Sequence, residues 1–315
     1  MTSAMPSTIP PVPFAGRMSY CLIRSLQMVL AHQGHEYPVT WLECVSGEAF
    51  GVVYIQGDAD LFAVVGYGYH EAGQHLLRTL GFDHSFTSAG EDDTAALAAL
   101  DTALRDGPVA VGMLDMGYLT YAPDHEHARG ADHAIVVLAR RPDAVVVHDP
   151  AGYPAAVLPL ADFLAAWRRD IYTGKPYGLW RIGAQREAPS AEEVWDRTIA
   201  HARDLYTRTA ETLAPGITEH YGPQALRLLA ADLRAAPERP LGGLPYFNWR
   251  VSGQRCLDGA TFLRERLPDA AAIRWEQCQV YGEIQQASTS AGRSRLPELL
   301  ERQADLEAAF IAALG

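Results

Sequence analysis

No run of apolar residues in this sequence approaches the ~20 needed to span a bilayer, so a membrane-embedded helix is not expected. Cysteine is scarce. Cys21, Cys44, Cys256 and Cys278, with no C-x-x-C pair among 315 residues, do not make a disulfide framework. Reduced thiols in the cytoplasm are the expectation. Lysine is nearly missing: Lys175 is the one lysine among 26 Lys and Arg residues, which reads as base composition rather than function. Positive charge as a whole is short, with a formal net charge of −12. That excludes a nucleic-acid binder, whose affinity rests on Lys and Arg at phosphates. Glycine-rich phosphate loops of the Walker or Rossmann type are absent, so neither a nucleotide nor another cofactor is expected. The opening "MTSAMPSTIPPVPFAG" lacks a basic n-region and an apolar h-region. It reads as an extended Pro-rich arm, not a signal peptide. Repeats at solenoid periods are absent as well.

Apolar residues are plentiful, at 48%. A sizeable core follows, in one large domain or two ordinary ones. "SYCLIRSLQMVLAHQG" (19–34) has Leu22, Leu26, Val29 and Leu30 on one helical face, Ser19 as N-cap and Gly34 as C′ residue. "TWLECVSG" (40–47) reads as a short helix with a capping box from Thr40 to Glu43. Strands are expected at 51–55 and 61–68, helices at 70–81 and 91–107, and a buried strand at 108–114. "GADHAIVVLARRPDAVVVHDPAG" (130–152) is two apolar strands joined by a polar turn. A strand (155–160), a helix (161–169) and a strand (177–183) follow. Beyond a boundary at 183–191 only helical periodicity remains, enough for four or five helices, broken at Pro215-Gly216, 237–245 and 288–292.

The chemistry concentrates at the first helix and the long hairpin. A nucleophilic Cys needs a base, and the base needs an orienter. Cys21 falls in the first turn of its helix, where unsatisfied N–H groups and the positive dipole end favour a thiolate. His133 opens one strand of the hairpin and Asp149 ends the other. An antiparallel ladder sets such residues opposite each other, carboxylate against imidazole.

These segments resemble papain-like cysteine enzymes, with a hairpin like that of bacteriocin-leader peptidases. They are closer still to the acyltransferase family of butirosin biosynthesis protein H, which pairs a papain-like domain with a helical C-terminal one. The resemblance runs through "SYCLIRSLQMVLAHQG", "SGEAFGVVY", "VGMLDMGYLTY" and "HAIVVLARRPDAVVVHDPAGYPAAVLPLADFLAAW", and more loosely through "NWRVSGQRCLDGATFLRE" (248–265). It implies acyl transfer through a Cys thioester, from a carrier-protein thioester or small acyl-thioester to an amine-bearing acceptor. By position the nucleophile, base and orienter fall on Cys21, His133 and Asp149. One departure stands out. Many papain-like enzymes place a Gln about six residues before the Cys to donate to the oxyanion; here that position is Ala15. The Cys21 backbone N–H remains as a donor, with Ser19 and Tyr20 the nearest candidates for a second.

Other signals are weaker. Asp115, Tyr118 and Tyr121 precede His133; the tyrosines either line an acceptor pocket or pack in the core. "DHEHARGADH" (124–133) holds three histidines, but its spacing is not helical and no Cys joins it, so a solvated loop without metal is expected. Arg168, Arg169, Lys175 and Arg181 form a basic cluster that suits an acidic carrier protein or a solvated face. Cys44, Cys256 and Cys278 sit in apolar helical contexts and read as packing residues.

The expected fold is therefore α+β: a papain-like domain with an antiparallel sheet over 1–185, followed by an all-helical domain over 190–315. The expected activity is acyl transfer in natural-product biosynthesis. Two alternatives stay open. One is a hydrolase or peptidase on the same three residues, with water resolving the acyl-enzyme. The other is a non-catalytic binding protein of the same fold.

Overall fold

The computed structural model describes residues 20–57, 61–90, 92–169, 175–289 and 291–315. Ser19 and Ala15 lie outside the described residues. In chain order the elements begin with α1 (Cys21–His32), α2 (Val39–Val45), β1 (Val52–Gln56), β2 (Phe62–Val65), α3 (Tyr69–Thr79), β3 (Phe82–Thr87) and α4 (Asp93–Ala103). Next come β4 (Val109–Asp115), β5 (Asp132–Arg140), β6 (Ala144–Asp149), β7 (Tyr153–Pro159), α5 (Leu160–Trp167) and β8 (Leu179–Gln185). The chain ends with α6 (Ala191–Leu205), β9 (Glu211–Ala214), β10 (Ile217–Tyr221), α7 (Gly222–Ala235), α8 (Trp249–Leu263), α9 (Pro268–Ser288) and α10 (Leu296–Leu314). The fold is mixed, with antiparallel sheets and a helical C-terminal part.

Two compact units form, and they are not contiguous in sequence. One comprises 20–42 and 69–194; the other comprises 43–68 and 195–315. This differs from the expected split near 185–190. The reason is strand pairing: β1 bonds to β10 in the register Val53↔Tyr221 and Tyr54↔His220, so β1 and its hairpin partner β2 go with the C-terminal segment.

The first unit is built on a six-stranded antiparallel sheet in the order β3-β8-β4-β5-β6-β7. β4 is buried at all seven positions, as its unbroken apolar run requires. α1 packs on β4 and β5, and α5 packs on β4, β6 and β7. The periodic face of α1 is fully engaged, with Leu26 and Leu30 at 0% exposure. Burying such a leucine stabilises the fold by roughly 1.5–3 kcal/mol. Trp167 closes α5 onto β8 by donating from Nε1 to the Gly178 carbonyl at 2.9 Å. β3 was not expected from the sequence: "FDHSFT" is a short, half-polar edge strand whose charged residues mask its alternation.

The second unit has a four-stranded sheet, β2-β1-β10-β9, and the helices α7 to α10. Its core joins Val52, Tyr54 and Val65 to Leu226, Leu229, Val280, Ile284 and Leu300. Pro215-Gly216, read as a break between helices, is instead the turn of the β9–β10 hairpin, with Gly216 at φ +80°. Two buried polar clusters cross this core. Arg255 Nε donates to Glu43 Oε1 at 2.7 Å and its Nη2 to Glu48. Arg274 Nη1 donates to Glu307 Oε2 at 2.9 Å and to Gln277 at 2.8 Å. Glu43 is thus not the reciprocal partner of a Thr40 cap: its side chain is buried on Arg255, and α2 starts at Val39 behind Pro38. Among the described residues no helix is long and apolar enough to cross a membrane.

Candidate active site

Cys21 is the first residue of α1, one position earlier than the Ser19 cap implied. Tyr20 occupies the N-cap, and its side chain does not cap the helix. The helical ladder opens with Arg24 N–H donating to the Tyr20 carbonyl at 2.8 Å. The N–H groups of Cys21, Leu22 and Ile23 therefore lie ahead of it, at the positive end of the helix. Cys21 is 8% exposed. The packing of α1 on β5 brings this turn to the start of β5, where His133 sits.

His133 is held from both strands beside it. It pairs with Leu114 of β4, and β4 bulges between Gly112 and Leu114. A Cβ on Gly112 (φ +153°) would meet the His133 carbonyl oxygen at 2.9 Å, so only glycine admits this approach. His133 Nε2 lies 2.7 Å from Asp149 Oδ1. The Cys21 side chain acts on the same ring electrostatically. Burial alone would lower the imidazole, but the bond to Asp149 and the Cys21 side chain outweigh it and push His133 up to about 10.

Asp149 ends β6 before Pro150. Its Oδ1 also accepts the Ala151 N–H at 2.6 Å, so "DPAG" is an Asx-type turn that fixes the carboxylate. Its Oδ2 accepts the Tyr121 hydroxyl at 2.8 Å. Burial opposes the charge, yet His133, the Ala151 amide and Tyr121 together hold Asp149 below the usual carboxylate range.

The other expected site residues divide. Asp115 is 1% exposed and accepts the N–H groups of Gly117 at 2.8 Å and Gly130 at 3.0 Å. It ties together the two ends of the loop 116–131 that leads to His133. The Tyr118 ring lies 4.8 Å from the Arg129 guanidinium and 5.5 Å from that of Arg169. Tyr121 reaches Asp149; no signal in the sequence reveals this, because 28 residues separate the two. Tyr20 is 2% exposed at the helix cap, and Ser19 lies outside the described residues. In the histidine-rich loop His125 Nδ1 is 2.8 Å from the Gly117 carbonyl oxygen. Among the described residues no group of His, Cys, Asp and Glu is arranged to hold a metal ion. Of the basic residues, Arg168 bonds Asp93 at 2.5 Å and Arg181 bonds Asp106 at 2.6 Å.

Comparison with known proteins matches two segments. Residues 20–150 match the family model described as butirosin biosynthesis protein H, N-terminal. Residues 215–315 match the YobF C-terminal domain. Over nearly its whole length the chain is similar to YobF of Bacillus subtilis (strain 168), with 26% identity over 301 residues, covering 94% of this chain and 96% of the relative. The two matched segments fall in different halves of the sequence, and the first spans Cys21, His133 and Asp149.

Proposed function

We propose that this chain, built like butirosin biosynthesis protein H with a YobF-type C-terminal domain, is an acyltransferase of natural-product biosynthesis. It would move an acyl group from a carrier-protein or small-molecule thioester to an amine. The observation that supports this most is the imidazole of His133, bonded to Asp149 Oδ1 at 2.7 Å and raised by the neighbouring Cys21 side chain.

Cys21 passes its proton to His133 and its sulfur attacks the thioester carbonyl. The tetrahedral intermediate collapses, the donor's sulfur leaves, and the His133 imidazolium returns the proton to it. The amine then attacks the acyl-Cys21 carbonyl while His133 takes the amine proton. Collapse releases the amide and the Cys21 sulfur. Asp149 fixes the ring and stabilises the imidazolium in both halves. The N–H groups at the start of α1 supply positive field at the developing oxyanion. No cofactor enters these steps. Free thiols suit a cytoplasmic setting.

The test is mass spectrometry of the protein after incubation with a small acyl-thioester. The expected result is one acyl group on Cys21, lost on addition of an amine with formation of the amide. Free acid in place of amide would move the assignment to a hydrolase. No acyl group on Cys21 would exclude both enzymes and leave a binding protein.

A further inference from the structure

We propose that Tyr121 is a positioning residue of this site, whose hydroxyl holds Asp149 Oδ2 so that Oδ1 stays aimed at His133. This rests on the roles assigned to Cys21, His133 and Asp149. A carboxylate turns easily about its last bond, which has broad, two-fold preferences. Here both oxygens are committed. Oδ1 takes His133 Nε2 at 2.7 Å and the Ala151 N–H at 2.6 Å, and Oδ2 takes Tyr121 at 2.8 Å. The Asp149 side chain is 1% exposed, so solvent does not stand in for a lost donor. Tyr121 is itself held from two sides. Its loop is closed at the base by Asp115, and its ring lies 5.3 Å from that of Tyr153, the strand partner of Asp149. Burial and the charge of Asp149 push the phenol well up, so it remains a donor across the working range. Donation to Oδ2 also draws negative charge from Asp149, which keeps the proton on His133 rather than on the carboxylate. Without it Asp149 turns more freely and holds the imidazolium less tightly.

Tyr121→Phe keeps the ring and removes only the hydroxyl. The readout is the pH profile of Cys21 modification by iodoacetate, an anion whose reaction depends on a neighbouring imidazolium. The rate at pH ~7 should fall by roughly tenfold to a hundredfold, the worth of one hydrogen bond to a charged group. The alkaline limb should move down by about half a unit. Placing 3-fluorotyrosine at position 121, a stronger donor that preserves the fold, should move that limb up. A hydroxyl with a merely structural role would change thermal stability and leave both profiles on that of the unmodified protein. Superimposable profiles, or two shifts of the same sign, would overturn the proposal. The underlying assignment has its own failure: Cys21 in the unmodified protein reacting no faster than Cys278, whatever stands at position 121.

Discussion

His133 and Asp149 are not cross-strand partners, yet their Nε2 and Oδ1 atoms lie 2.7 Å apart. The register Val136↔His148 carries Asp149 opposite Ile135, diagonal to His133 on the same face of the sheet. The Asx-type turn to Ala151 then swings the carboxylate back across that diagonal. A short peptide turn thus does what direct strand pairing would not.

The first consequence is reactivity. Burial pushes Cys44 and Cys256 well up and Cys278 up to about 11, so none of these three is a ready nucleophile. Cys21, by contrast, acts on the His133 imidazole. At pH ~6–7, Cys21 should alkylate more than tenfold faster than Cys278. His133→Ala should remove most of that advantage. Peptide mapping after timed exposure to iodoacetamide reads both, and equal rates at all four thiols would remove the case for activation.

The second concerns pH and stability in the other unit. Burial raises Glu43 to about 8, against the opposing charge of Arg255, with Glu48 and Asp258 adding repulsion. A carboxyl whose folded pKa lies above its unfolded value binds more protons when folded. Stability then falls as pH rises from about 4.5 through about 8. Glu43→Gln removes that titration, and its amide nitrogen replaces the partnerless Oε2 of Glu43. Urea unfolding should show the variant gaining about 3–4 kcal/mol relative to the parent between pH 5 and pH 8. An unchanged difference across that range would contradict it.

Third, Arg274 and Glu307 are both at 0% exposure within the helical core. Arg274→Ala would strand Glu307 with only Gln277 and Tyr206 as donors. The expected loss is about 3–5 kcal/mol. Replacing the pair together, Arg274→Met with Glu307→Leu, should recover most of it. Denaturant midpoints of the three proteins settle the comparison, and a double variant no more stable than Arg274→Ala would mean the loss does not come from stranding Glu307.

Much of this was legible in the sequence because it is local. The α1 face, the buried run of β4 and the β5–β6 hairpin follow from apolar spacing alone, and Cys21, His133 and Asp149 stand at the ends of those elements. Asp-Pro-Ala-Gly marked a turn, though not that the turn grips the carboxylate. What escaped depends on distant partners. β1 and β2 look like part of the first half until β10 pairs with them. Glu43 has the spacing of a capping box, but burial against Arg255, 212 residues away, decides its partner. Tyr121 and Asp115 look alike as polar residues ahead of His133; only the closed loop separates a brace from a donor.

The last expectation concerns what the site can acylate itself with. Ala15 stands where many papain-like enzymes carry a Gln that donates to the oxyanion. One such donor is worth roughly 3–4 kcal/mol in the transition state. An amide carbonyl is unactivated and its amine is a poor leaving group, so peptide cleavage depends on that term. A thioester carbonyl is already electrophilic and expels a thiolate, so it tolerates a weaker oxyanion site. Cys21 should therefore acylate measurably with small acyl-thioesters, while unactivated peptides are cleaved at negligible rates. Cys21→Ala should abolish acylation and keep the fold. The change removes one sulfur from a residue at the helix start, a loss of about 1 kcal/mol at most. Circular dichroism and melting of the variant check the second half. Efficient turnover of ordinary peptides by the purified protein would refute the chemical preference and favour a peptidase.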